Sequence, residues 1–206
     1  MEEKPRATPR FAHFDRDVNC WRLSPPGVSE ARLACCLACD TPAKVDGRII
    51  LHGHGLRARV LRGPLEPGGE ACEIEVLVRR YQCQRCKAVM MVGPRGLTPR
   101  RYLSMVIVLA LWLWSACTWL DASVRARVCP VPSNPYAARP ERWTTLRRWA
   151  KVFADARGPS SSPETLRQAA HREAQRCRAQ GPPDASDEAR VFAGAALAHR
   201  GPSLLA

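Results

Sequence analysis

The chain is poor in two of the large aromatic residues, with four Phe and three Tyr in 206 positions, and rich in Pro, with 18. Several stretches are therefore expected to lie outside any packed core. Lysine is scarce too: Lys4, Lys44, Lys87 and Lys151 are the four lysines among 32 basic residues. Arginine bias follows from a GC-rich genome as readily as from function, so the sign of the charge says more than the choice of residue. No P-loop, nucleophile elbow or H-E-x-x-H is present, which removes the motif-based enzyme readings. Met1–Arg10 holds no apolar stretch, so no secretory leader is expected. Without one, ten cysteines do not read as a disulfide framework. A reducing cytoplasm is the expected setting, where paired C-x-x-C units mean metal or redox chemistry.

Acid is also in deficit, 19 residues against 32 basic, for a net charge of +13. The excess is uneven. Residues 1–30 balance at five and five, 31–101 carry thirteen basic and six acidic residues, and 102–156 carry seven and three. The positive field thus covers the middle of the chain, where the motifs lie, and a basic surface of this kind attracts polyanions.

Two units dominate what is present: Cys36-Leu37-Ala38-Cys39 and Cys83-Gln84-Arg85-Cys86. Each suits a tight knuckle whose two thiolates face one ion, and together they make a closed S4 shell for one structural Zn2+. A closed shell has no open position for water, so the metal is expected to do no chemistry. Cys35 is an alternative to Cys36 through a poorer C-x-x-x-C spacing. Cys72, His52 and His54 lie between the pairs as further alternatives. The 43 residues between Cys39 and Cys83 exceed the ~15–20 of compact patterns. The Gly63–Gly69 segment, with two Pro and three Gly, accounts for the excess as a hairpin-tip insertion. Strand-like runs at Arg48–Leu61 and Cys72–Tyr81 flank it. Arg79, Arg80, Arg85 and Lys87 surround the second knuckle and would offset the net −2 of a zinc tetrathiolate.

Tyr102–Leu120 has no charge in 19 residues. That length also suits a membrane span. Ser104, Ser115 and Thr118 and several Ala favour a buried central helix instead. Ala122–Val128 is a short helix before Pro130. In Glu141–Ala156 the residues Trp143, Leu146, Trp149, Ala150 and Phe153 share one helical face. Thr144, Arg147, Arg148 and Lys151 fall opposite, with Thr145 at the edge. This basic-polar face has the composition of a recognition helix, although the Cys129–Pro140 connection is longer than an ordinary helix-turn-helix turn. Ser162-Pro163-Glu164 reads as the start of a further helix to about Gln180, and Ser186–His199 as a weaker last one.

The segment Arg80-Tyr81-Gln82-Cys83-Gln84-Arg85-Cys86, followed by Gly93-Pro94-Arg95-Gly96-Leu97-Thr98-Pro99-Arg100-Arg101-Tyr102, resembles an uncharacterised bacterial family of zinc-ribbon proteins associated with transposases. The likeness runs from about Leu33 to Phe153. It implies DNA binding in a mobile-element setting and lends no established activity.

The expected fold class is α+β: a small zinc ribbon, a β-hairpin with two Cys knuckles, followed by an all-α, helix-turn-helix-like domain. The expected divisions are a flexible leader (1–32), the ribbon (33–99), the helical domain (100–156) and a helical or partly disordered tail (157–206). The expected function is non-catalytic binding of double-stranded DNA through Thr144, Thr145, Arg147, Arg148 and Lys151, or through Arg79 and Arg80 on the ribbon. A transposase or other protein is the alternative partner, and no small-molecule substrate is expected. The acids Asp155, Glu164, Glu173, Asp184, Asp187 and Glu188 have no strand framework on which to converge around catalytic metals. The alternatives are a protein-interaction module and a small membrane protein with a cytoplasmic zinc head.

Overall fold

The structure is a computed structural model and describes residues 10–131, 143–156 and 164–198. It is mixed α+β. The strands are β1 (Arg10–His13), β2 (Lys44–Val45), β3 (Arg48–Ile49), β4 (Leu51–Gly63), β5 (Cys72–Cys83) and β6 (Val89–Gly93). The helices are α1 (Val18–Leu23), α2 (Ser104–Ser115), α3 (Asp121–Val128), α4 (Thr144–Asp155), α5 (Leu166–Gln180) and α6 (Asp187–Ala198). One sheet has the order β1-β6-β5-β4, and β2 and β3 form a separate two-stranded ribbon. The chain divides into two compact units. A metal unit comprises Met1–Arg59 with Val76–Arg95, and a helical unit comprises Val60–Glu75 with Gly96–Ala206.

In the metal unit, β5 alternates in the way a half-buried strand should: Val76 and Val78 are buried while Glu75 and Leu77 are exposed. The expected flexible leader needs correction over its described part. β1 pairs in parallel with β6, Arg10 opposite Met90 and His13 opposite Gly93. Asp17 caps α1 by accepting from the Asn19 and Cys20 backbone N–H groups, both at 2.9 Å. Trp21 is fully buried, and its indole N–H donates to the Leu77 carbonyl at 2.8 Å. The Tyr81 hydroxyl donates to the Val28 carbonyl at 2.7 Å. These buried donors tie residues 10–32 to β5, because a polar atom taken from water needs a partner.

In the helical unit, α2 is buried on almost every face, as its uncharged sequence requires. The helix is shorter than the apolar run. It stops at Ser115, Thr118 turns left-handed (φ 57°), and the Trp119 N–H donates to the Leu113 carbonyl at 3.0 Å. Twelve residues span only ~18 Å, well short of a ~30 Å hydrocarbon layer. No helix among the described residues is long and apolar enough to cross a membrane. α5 and α6 pack on each other and on α2, so residues 164–198 belong to the body of this unit rather than to a tail. α5 begins at Leu166, not at Ser162. Thr165 and Gln168 form a reciprocal capping box, and Ser162 lies outside the described residues.

α3 packs chiefly on α2 and α4 chiefly on α5, so pairing of α3 with α4 as a helix-turn-helix is not what organises them. The link between their starts is Asp121. Its buried carboxylate accepts from the Trp143 backbone N–H at 2.9 Å and from the Arg147 guanidinium. Trp143 in turn stacks edge-on with Trp149 and Tyr102, at centroid distances of 5.1 and 6.3 Å. Asp121→Asn keeps the shape but removes the charge that holds both donors. It is expected to cost about 2 kcal/mol, read as a lower urea midpoint with unchanged slope and a weakened tryptophan near-UV signal. An unchanged midpoint would mean that the pair contributes nothing.

Candidate metal centre

The two knuckles have the same backbone design. In the first, the Asp40 N–H donates to the Cys36 carbonyl at 2.9 Å and the Cys36 N–H to the Thr41 carbonyl at 2.8 Å. In the second, Lys87 donates to Cys83 at 2.9 Å and Cys83 to Ala88 at 3.0 Å. The residue after the last cysteine is left-handed in both, φ 52° at Asp40 and 62° at Lys87. This reversal turns each pair of thiols to one side.

The four Sγ atoms of Cys36, Cys39, Cys83 and Cys86 lie within 4.8 Å of one another. Cys36 and Cys86 are 3.6 Å apart and Cys39 and Cys83 are 3.9 Å apart. A tetrahedral S4 shell with metal–sulfur bonds of ~2.3 Å has edges of ~3.8 Å. The observed separations bracket that edge, and the thiols are free rather than disulfide-bonded. The donor set therefore fits one metal ion in a closed shell. Cys36 and Cys83 are buried, Cys39 is half-buried and Cys86 is exposed. The Thr41 hydroxyl, 3.2 Å from Cys39 Sγ, and the Thr41 backbone hold the Cys39 thiol down at about 6. Burial pushes Cys36 up to about 12. A buried thiol resists ionising without a compensating cation, and a bound metal supplies one.

The alternative ligands fall elsewhere. Cys35 makes an isolated bridge with Pro42. The Cys72 thiol donates to the Gly63 carbonyl at 3.3 Å. A His52 ring nitrogen lies 2.8 Å from the Ile49 carbonyl, and His54 is exposed. Among the described residues no other group of three or more metal-ligating side chains comes together.

The expected DNA-contacting residues are dispersed. Thr144, Arg148 and Lys151 are exposed on α4, and Thr145 is half-buried. Lys151 pairs with Asp155 at 2.9 Å. Arg147 does not project into solvent as its helical position suggested. It binds Asp121 and lies over the Trp114 ring at 5.6 Å, because a buried carboxylate draws the nearest cation. Arg79 donates to the Pro26 carbonyl, and Arg80 is half-buried beside it on β5.

The excess charge follows the metal unit. Its described residues hold 13 basic and 5 acidic side chains, against 13 and 11 in the helical unit. Three of its five acids are engaged: Asp15 with Arg95, Glu30 with Arg16, and Asp17 in the α1 cap. Most of the net positive charge of the described residues thus belongs to the unit that holds the cysteine cluster.

No protein-family model, curated protein or solved structure matches this chain. The fold and the cluster therefore stand on their own geometry.

Proposed function

We propose that the chain is a non-catalytic, zinc-stabilised protein that binds double-stranded DNA. The observation that carries this reading is the coincidence of a closed four-thiol cluster with the strongest charge imbalance in the molecule. A closed S4 shell of soft thiolates in tetrahedral geometry suits Zn2+, and it leaves the metal no catalytic position. On this reading the zinc fixes a small basic platform that the short sheet could not hold rigid alone. The resemblance to transposase-associated zinc ribbons supports the same direction and suggests a mobile-element setting. The exposed side of α4, with Thr144, Arg148 and Lys151, and the Arg79–Arg80 pair are the contacts named from sequence. Arg147 and Arg79 are already engaged within the protein, which weakens both sets.

A second reading, docking on a protein partner, is favoured by Trp119 and Leu120. They stand 38% and 76% exposed in the α2–α3 connection, and exposed large apolar side chains are typical of contact sites. Titrating purified zinc-loaded protein with duplex DNA at two salt concentrations separates the two. DNA binding that weakens by ~10-fold or more between about 50 and 200 mM salt is the expected result, since each phosphate contact releases counterions. Failure to bind at the lower salt would leave the docking reading in possession.

A further inference from the structure

The β2–β3 ribbon is the part of the metal unit that neither the metal site nor the sheet uses. Lys44 pairs with Ile49 and Val45 with Arg48, and the turn residues Asp46 and Gly47 both take positive φ, 49° and 77°. Two left-handed residues in a two-residue loop form the tight turn that matches strand twist, and Asp-Gly is a favoured pair for it. All six residues from Lys44 to Ile49 are exposed, including the apolar Val45 and Ile49 at 39% each. A ribbon with both faces in solvent buries little, so something else must hold its orientation.

The metal centre does this. Ala43 N–H donates to the Ala34 carbonyl at 2.7 Å, just before the first knuckle, and Ile50 N–H donates to the Ala43 carbonyl at 2.8 Å. Gln84 N–H, inside the second knuckle, donates to the Ile50 carbonyl at 2.9 Å. Both ends of the ribbon are therefore fastened to the two cysteine knuckles. The same bond at Gln84 brings the exposed Arg85 and Lys87 to the ribbon's base. Among the described residues the ion pairs of this unit are Arg16–Glu30 and Arg95–Asp15, so Lys44, Arg48, Arg85 and Lys87 belong to none.

We infer that this ribbon enters the major groove of duplex DNA, with Lys44 and Arg48 on the phosphates or guanine edges and Arg85 and Lys87 on the flanking backbone. The inference rests on the DNA-binding reading above and assigns its contact face. The dimensions agree. A two-stranded ribbon fits a groove ~12 Å wide, and three residues at ~3.3 Å each reach ~10 Å, against a groove depth of ~8.5 Å. Val45 and Ile49 find a use there, because thymine presents a methyl group in the major groove. Asp46, the acid at the tip, is farthest from the phosphates and can accept from a cytosine amino group.

The test uses full-length zinc-loaded protein and a short fluorescent duplex of mixed sequence, titrated over a series of salt concentrations. The double variant Lys44→Ala/Arg48→Ala is expected to keep its zinc and its circular dichroism. Its slope of log affinity against log salt should fall by up to ~1.8, about 0.9 for each lost phosphate contact. Arg148→Ala/Lys151→Ala on α4 should keep the wild-type slope. Duplex RNA of the same sequence should bind more weakly than DNA, since side chains cannot read its deep, narrow major groove. Wild-type affinity and slope in the ribbon variant, or their loss in the α4 variant, would overturn the assignment while leaving DNA binding intact. Equal affinity for duplex RNA would remove the groove placement. A wild-type protein that binds no duplex at low salt would end both this inference and the reading it rests on.

Discussion

Cys83→Ser protein is expected to purify without bound metal and with its metal unit unfolded, whereas the wild type should carry about one zinc per chain. Cys83 closes β5 and opens the second knuckle, and its side chain is fully buried. A serine there leaves three thiols and a buried hydroxyl that is a poor zinc ligand. The energy at stake is large, because zinc binding in small modules amounts to about 10–16 kcal/mol at neutral pH. The hydrophobic side is modest, resting on β1, β6, parts of β4 and β5, and one six-residue helix. The loss should show as missing zinc by elemental analysis and as rapid proteolysis within 10–59 and 76–95. The helical signal should largely persist, since α2, α5 and α6 pack within the other unit. Cys35→Ser is the control. The Cys35 thiol is not one of the four that cluster, so this variant should retain its zinc. A full complement of zinc in Cys83→Ser, or its loss in Cys35→Ser, would refute the assigned ligand set.

The metal cluster was legible in the sequence because a knuckle is a local object. C-x-x-C spacing fixes the turn, and two such turns have one economical way to combine. The distance between them misled in detail. The 43 intervening residues are not a short hairpin with a swollen tip. They contain the β2–β3 ribbon and most of two strands of 13 and 12 residues, with the Pro64–Ala71 connection between the strands. α2 was legible as a buried helix because nothing charged interrupts it, though its end at Ser115 was not. Termination there depends on Thr118 adopting a left-handed backbone, which a β-branched residue seldom does.

What could not be read was tertiary. Residues 10–32 have no period, so nothing local marks β1. Its pairing with β6 joins positions 80 residues apart in sequence, Arg10 with Met90. The helical wheel of α4 placed Leu146, Trp149, Ala150 and Phe153 on the buried side, as observed. It also placed Arg147 on the opposite, solvent-facing side with Thr144, Arg148 and Lys151. The wheel does not show that Asp121, 26 residues earlier, is buried and needs a cation. The α5 start was misread for a different reason. Ser162-Pro163-Glu164 carries a good initiation signal, but Thr165 and Gln168 offer a box that satisfies two backbone donors instead of one.

Gly194→Ala is expected to destabilise the helical unit by about 3 kcal/mol, although alanine is the better helix former. Gly194 lies inside α6, where replacing glycine with alanine in an open helix gains up to ~1 kcal/mol. Here α6 crosses the C-terminal part of α5 so closely that a methyl at Gly194 would overlap the Cys177 carbonyl carbon and oxygen. These are backbone atoms of a packed helix and have no rotamer through which to yield. Gly181, which ends α5, is equally confined, since a methyl there would strike the Arg190 backbone of α6. The two glycines therefore allow the α5–α6 crossing to close, and the small residues Ala169, Ala170, Ala174, Ala195 and Ala196 fill the buried faces of the two helices. Separating the helices would loosen contacts along both and around the buried Cys177 and Glu173, which is why the overpacking cost should exceed the propensity gain. Differential scanning of Gly194→Ala and of an exposed control, His171→Ala, measures the difference. The control should be neutral or slightly stabilised, since His171 is exposed on α5 and alanine is the better helix former there. A Gly194→Ala protein as stable as wild type would show that the crossing has room for a methyl group and that the glycine has no packing role.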